Sequence, residues 1–147
     1  MERSISGDSG ESTASGIWVS LAKARYMSLT TYRATGAPVA TPVWFAEAAG
    51  TLYVRTFSGA GKVKRIAHTA RVTLAACTLS GTVTGPSIEG RARLLTTVSD
   101  RVAAERILAR KYSVQWWTYF RVLGFIQRLR HAPSLAAAYL AIAPPAP

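Results

Sequence analysis

From Arg25 to Leu95 the chain runs through short segments rich in valine, threonine and aromatic residues, divided by glycine-bearing breaks. "RYMSLTTYR" (25–33) ends at "ATG", where Gly36 is the turn residue. "APVATPVWFAEA" follows, then "AAG" (48–50), then "TLYVRTF" (51–57). Further on come "RVTLAACTL" (71–79), the turn-like "SGTVTGPS", "IEGRARLL" (88–95) and, near the end, "SLAAAYLAIA" (134–143). Branched and aromatic side chains suit a pleated, half-buried surface, and glycine-bearing breaks of hairpin length join such runs antiparallel. The pattern therefore predicts a mainly β, six-stranded antiparallel barrel rather than a βαβ sheet.

Three stretches depart from it. "GKVKRIAHTA" (61–70) brings Val63, Ile66 and Ala67 together at helical spacing and predicts a short amphipathic helix. "SDRVAAERILARK" (99–111) predicts a second helix, capped by Ser99 or Asp100 and carrying Arg101 and Glu105 at i,i+4. "YSVQWWTYFRVLGFIQRLR" (112–130) mixes large aromatics with arginines and completes a helical excursion over 99–130.

A length of 147 residues is most simply one domain, and an apolar fraction of 49% agrees with a compact core. Cys77, the only cysteine, lies in an apolar run and reads as an inert core residue, so neither an internal disulfide nor a zinc site is expected. Residues 1–16, "MERSISGDSGESTASG", are small and polar. They are expected to form a disordered lead-in without a secretory signal. The domain then occupies 17–143, followed by a Pro-rich tail at 144–147. No run approaches 18 apolar residues. The expectation is a cytoplasmic protein.

The net charge of +11 favours anionic partners. Arginines outnumber lysines 14 to 4 and asparagine is absent, so part of this basicity is compatible with a codon bias.

"SGAGKVKR" (58–65) concentrates the question. A Walker A loop needs glycine where Thr56 stands and a hydroxyl residue where Val63 stands. A dinucleotide fingerprint needs glycine at Lys64. Both nucleotide-loop readings fail. What remains is a tight turn through Gly59 and Gly61, a helix start with free N–H groups, and Lys62 and Arg65 three residues apart. That combination suits a phosphate, although a basic helix face is more often simply solvated.

Three segments, "YMSLTTYRATGAPVATPVWF", "LYVRTFSGAGKVKRI" and "ARVTLAAC", resemble in order and spacing the flavin-type split β-barrel family related to pyridoxamine-phosphate oxidases. Within it the chain is most similar to the branch that uses coenzyme F420, an 8-hydroxy-5-deazaflavin. The likeness runs from about Tyr26 to Leu95 and fades afterwards. It implies a homodimer with the cofactor in a groove between two barrels. It further implies that Lys62 and Arg65 bind phosphate, that Thr56 adds a hydroxyl, and that Thr41, Pro42, Val43 and Trp44 lie along the ring system.

Several of these positions keep two readings. Lys64 either assists the phosphate or faces solvent. Arg55 is either a second phosphate or tail contact or a surface charge. Trp44 is either a ring contact or barrel core. FMN is the alternative cofactor; the strongly anionic deazaflavin, with its oligoglutamate tail, matches the basic charge better.

The implied chemistry is hydride transfer to an unsaturated small-molecule acceptor, in which the cofactor does the hard step and the protein supplies orientation and water exclusion. No Ser/His/Asp set or paired carboxylates occur, so no catalytic side chain is assigned. Trp116, Trp117 and Tyr119 either pack in the core or dimer, or wall the substrate pocket; an interfacial membrane helix ranks last. Two non-enzyme classes stand beside the oxidoreductase. A single-strand nucleic-acid binder requires aromatics on strands beside the charges, which this order does not give. A carrier that holds the deazaflavin without turnover requires the same phosphate site.

Overall fold

The computed structural model describes residues 14–112 and 136–145. Seven strands form one antiparallel sheet: β1 (Tyr26–Tyr32), β2 (Pro38–Val43), β3 (Phe45–Ala48), β4 (Thr51–Phe57), β5 (Arg71–Cys77), β6 (Ile88–Leu94) and β7 (Ala137–Ala143). Their order across the sheet is β2-β1-β5-β6-β7-β4-β3. Among the described residues three helical stretches accompany them: α1 (residues 14–22), α2 (Gly61–His68) and α3 (residues 98–112).

The sequence pattern gives six strands and the structure has seven. The difference arises at one residue. "APVATPVWFAEA" breaks at Trp44, so that Pro38–Val43 pairs with β1 at one edge while Phe45–Ala48 pairs with β4 at the other. The chain thus passes from one edge of the sheet to the opposite edge within a single residue. β2 comes into contact with β4, and the sheet curls closed into a split barrel.

Alternation along the strands separates two cores. Met27, Leu29, Val43, Phe45, Leu52, Val54, Val72, Leu74, Leu140 and Ile142 fill the barrel, joined by Ile66 of α2. The outer face of β7 and β3, through Tyr139, Ala141 and Ala46, packs against Ala104, Leu108 and Tyr112 of α3. Those three helical residues recur every fourth position, which places them on one stripe. Cys77 is buried, as the apolar run around it implies.

Three helical details differ from expectation. The α3 cap is Thr97, whose Oγ1 accepts the Asp100 N–H at 3.2 Å, rather than Ser99 or Asp100. In α2 the buried residue is Ile66, whereas Ala67 is exposed. Residues 14–16, expected in the disordered lead-in, belong to α1. That helix buries Trp18 and Leu21 in the barrel core, and the Trp18 indole donates to the Gly50 carbonyl at 3.1 Å.

Candidate cofactor-binding groove

The break at Trp44 and the end of β4 meet at the seam of the barrel, and α2 begins beside them. Between these elements lies a groove of about 190 Å³ lined by Pro42, Val43, Trp44, Arg55, Thr56, Phe57 and Lys62. Six of the seven are residues that the sequence places at a cofactor site; Phe57 is the addition. Strand parity could have supplied it, because Phe57 lies two residues beyond Arg55 and shares its face.

Lys62 is held at the mouth of α2 and donates to Thr56 Oγ1 at 3.5 Å. Burial, and then the nearby Arg65 guanidinium, push its ammonium below the ordinary lysine range. Among the described residues, no carboxylate lines the groove. Ahead of α2, Ala60 is extended and offers no capping side chain, and the first turn contains no acidic residue. The helix start therefore adds unopposed N–H groups and positive dipole to the same region. Thr41, one residue before the lining, has a buried Oγ1 without a hydrogen-bond partner among the described residues.

The other wall is aromatic. Trp44 stacks on Tyr112, and Tyr26 lies tilted with its centroid 6.5 Å from that of Trp44. Trp44 is thus half-buried against α3, outside the barrel core, while also lining the groove.

Not every expected residue converges here. Arg65 turns away: its Nε donates to Thr31 Oγ1 at 2.6 Å, and its guanidinium folds back over Gly61. It stands outside the groove lining, as does the exposed Lys64. Trp116, Trp117 and Tyr119 lie outside the described residues.

The barrel recurs in known proteins. A family model described as pyridoxamine 5'-phosphate oxidase matches residues 19–136. The chain belongs to the pyridoxamine 5'-phosphate oxidase family. Among curated proteins none matches its sequence.

Solved structures share the family's split barrel at low identity. An F420 reductase is 19% identical with a TM-score of 0.52, over 86% of this chain and 92% of that one. An FAD-binding protein from Mesorhizobium loti is 15% identical with a TM-score of 0.55, over 86% and 83%. The heme storage protein HutZ from Vibrio cholerae is 13% identical with a TM-score of 0.55, over 86% of each chain. At such identities the likeness establishes the fold. It spans proteins whose names describe both reaction and storage.

Proposed function

We propose that this chain binds coenzyme F420 in the groove at the barrel seam and transfers a hydride between the reduced deazaflavin and an unsaturated small-molecule acceptor. The observation that carries the reading is the convergence of Lys62 and Arg55, from separate elements, on one groove whose described lining holds no carboxylate. A partly desolvated ammonium in such a lining favours an anionic ligand, and charge-assisted hydrogen bonds to phosphate contribute about 1.5–3 kcal/mol each.

In this reading Lys62, the Thr56 hydroxyl and the N-terminus of α2 hold the phosphate. Arg55 engages a second anionic part of the cofactor. Pro42, Val43 and Trp44 lie along the ring system, and Phe57 and Trp44 exclude water from it. The bound deazaflavin supplies the hydride-transfer chemistry; a proton from solvent completes the reduction of the acceptor. Arg65 and Lys64 contribute positive field rather than direct contacts.

A volume of about 190 Å³ is small beside the roughly 300–1,000 Å³ typical of small-molecule sites. A second copy of the chain completes the site in the proposed arrangement, a cytoplasmic homodimer. FMN, also phosphate-bearing, is the alternative ligand. A non-catalytic carrier role is favoured by one further fact: among the described residues no Asp, Glu, His, Cys or Tyr lines the groove to act as a proton donor.

The test is titration of F420 and FMN in parallel at low and moderate salt, with Lys62→Ala as control. F420 binding that is lost in the variant, followed by turnover of a reducible acceptor, supports the enzyme. Binding without turnover across a broad acceptor panel supports the carrier. FMN binding alone transfers the site to that cofactor, and binding of neither overturns the reading.

A further inference from the structure

Between α1, β3 and α3 lies a second cavity, of about 360 Å³, which shares no lining residue with the groove. Its volume falls within the roughly 300–1,000 Å³ typical of small-molecule sites. Apolar side chains, among them Ala22, Ala48 and Ile107, line it together with Glu47, Arg110 and Lys111. The carboxylate is directed to its own turn, where Glu47 Oε1 accepts the Gly50 N–H at 2.8 Å. Among the described residues it forms no ion pair with either cation.

Lys111 is the unusual member of this lining. Its Nζ donates to the Ala24 carbonyl at 2.6 Å and lies over the Phe45 ring, and the side chain is half-buried. The charged and titratable groups around it are Arg25 after α1, Glu47 on β3, and Arg110 and Tyr112 on α3. Burial first, and then the Arg25 charge, lower its pKa to about 8. About a quarter of the amine is therefore neutral near pH 7.5. Desolvation beside another cation is one way in which a lysine becomes a nucleophile at neutral pH. The tether leaves that chemistry open, because a neutral amine that gives one hydrogen to the Ala24 carbonyl keeps its lone pair.

We propose that Lys111 is a site of acylation by acyl phosphates: its amine attacks the acyl carbon while Arg110 attracts the phosphate. The N–C bond forms, the bond from the acyl carbon to the phosphate oxygen breaks, and inorganic phosphate leaves with that electron pair. The nitrogen gives up one proton to solvent, and no oxidant or further co-reactant enters. The product suits its surroundings. The amide nitrogen retains one N–H for the Ala24 carbonyl, the partly buried charge is gone, and a short acyl chain has the apolar cavity beside it. None of this depends on what the groove binds.

The experiment treats the full chain with acetyl phosphate and, separately, with the uncharged reagent N-hydroxysuccinimidyl acetate. Peptide mass spectrometry reads the acetylation rate at each lysine. With acetyl phosphate near pH 7.5, Lys111 should react about tenfold faster than the exposed Lys23 and Lys64. Its rate should level off above about pH 9, where the amine is almost wholly neutral. The preference should vanish in the urea-unfolded chain. Arg110→Gln should slow the acetyl phosphate reaction at Lys111 about threefold and leave the reaction with the uncharged reagent unchanged.

A folded-state rate at Lys111 no higher than at Lys23 and Lys64 overturns the proposal, as does a preference that survives unfolding. An Arg110→Gln variant with unchanged acetyl phosphate reactivity, or one slowed equally with both reagents, overturns the part given to Arg110. Should that variant fail to fold, wild type decides the point: added salt should slow acetyl phosphate at Lys111 more than the uncharged reagent, and equal slowing overturns it.

Discussion

Trp44 stacks on Tyr112 with ring centroids 4.8 Å apart and planes 24° from parallel. The contact joins the one residue at which the sheet changes edge to the last described turn of α3. Closing a sheet into a barrel requires some strand to leave one partner and take another, and here that switch is placed against an aromatic anchor. The groove is therefore bounded on one side by a residue whose position depends on α3. Barrel closure and groove shape share a structural cause.

The Tyr112 hydroxyl makes that anchor specific. It accepts the Phe45 N–H at 2.9 Å, and the Phe45 and Arg25 carbonyls lie 2.8 and 2.7 Å away to receive its single proton. Tyr112→Phe keeps the ring but strips the buried Phe45 N–H of this acceptor. The expected cost is about 1–3 kcal/mol in urea denaturation. Cofactor affinity should fall as well, because the strand break beside Trp44 loosens. Unchanged stability would show that another acceptor replaces the hydroxyl.

Lys111 gives the fold a pH dependence. Burial, and secondarily the Arg25 charge, lower its pKa to about 8. Its Nζ donates to the Ala24 carbonyl at 2.6 Å and lies 3.5 Å from the centre of the Phe45 ring, contacts that favour the ammonium and oppose the burial effect. With the folded pKa below the unfolded one, the unfolded chain binds more protons between them. Stability conferred by this residue is lowest below pH 8 and rises as pH climbs through the folded value toward 10.5. The stability of wild type relative to Lys111→Met should therefore increase between pH 7.5 and pH 9.5. A flat difference would mean that the carbonyl and ring contacts cancel the burial effect. Comparing the two proteins removes the opposing contribution of tyrosines, whose unfolded forms ionise near pH 10.

Strand existence was legible because branched residues and glycine breaks are local signals: "TLYVRTF" becomes Thr51–Phe57 without change. The division of "APVATPVWFAEA" at Trp44 was not, because nothing within that run says which edge each half will pair with; closure decides it. The Thr97 cap was readable as a Thr-x-x-Asp pattern. Helix α1 had a weaker signal, since Gly16, Ile17 and Val19 are poor helix formers and its order comes from burying Trp18 and Leu21. The groove was visible as a set of residues. Which way Arg65 turns was not, because its partner, Thr31, lies 34 residues away.

Gly90 tests the tightness of the barrel interior. A β-carbon there would lie 2.9 Å from Ile142 Cγ2, 3.2 Å from Leu74 Cδ1 and 3.3 Å from the Ala143 carbonyl oxygen. The backbone on that last side cannot yield as a side-chain tip would. Gly90→Ala should destabilise by about 1–3 kcal/mol through overpacking. Cofactor affinity should persist in the folded fraction, since Gly90 does not line the groove. An equally stable variant would show that β6 and β7 can separate locally.

Lys62 and Arg65 belong to one helix and carry the same charge, yet their environments predict opposite phenotypes. Lys62 lines the groove and is partly desolvated there. Lys62→Ala should reduce affinity for a phosphate-bearing cofactor by about ten- to a hundredfold, the equivalent of one charge-assisted contact, with little loss of stability. Arg65 instead satisfies the Thr31 hydroxyl, which is 1% exposed. Arg65→Ala leaves that buried oxygen without its donor, at about 1–3 kcal/mol of stability, while affinity changes less than in Lys62→Ala. Cofactor titration and urea denaturation of both variants separate the two roles. If Arg65→Ala lost affinity as steeply as Lys62→Ala without losing stability, the guanidinium would have to leave Thr31 on binding and join Lys62 at the phosphate.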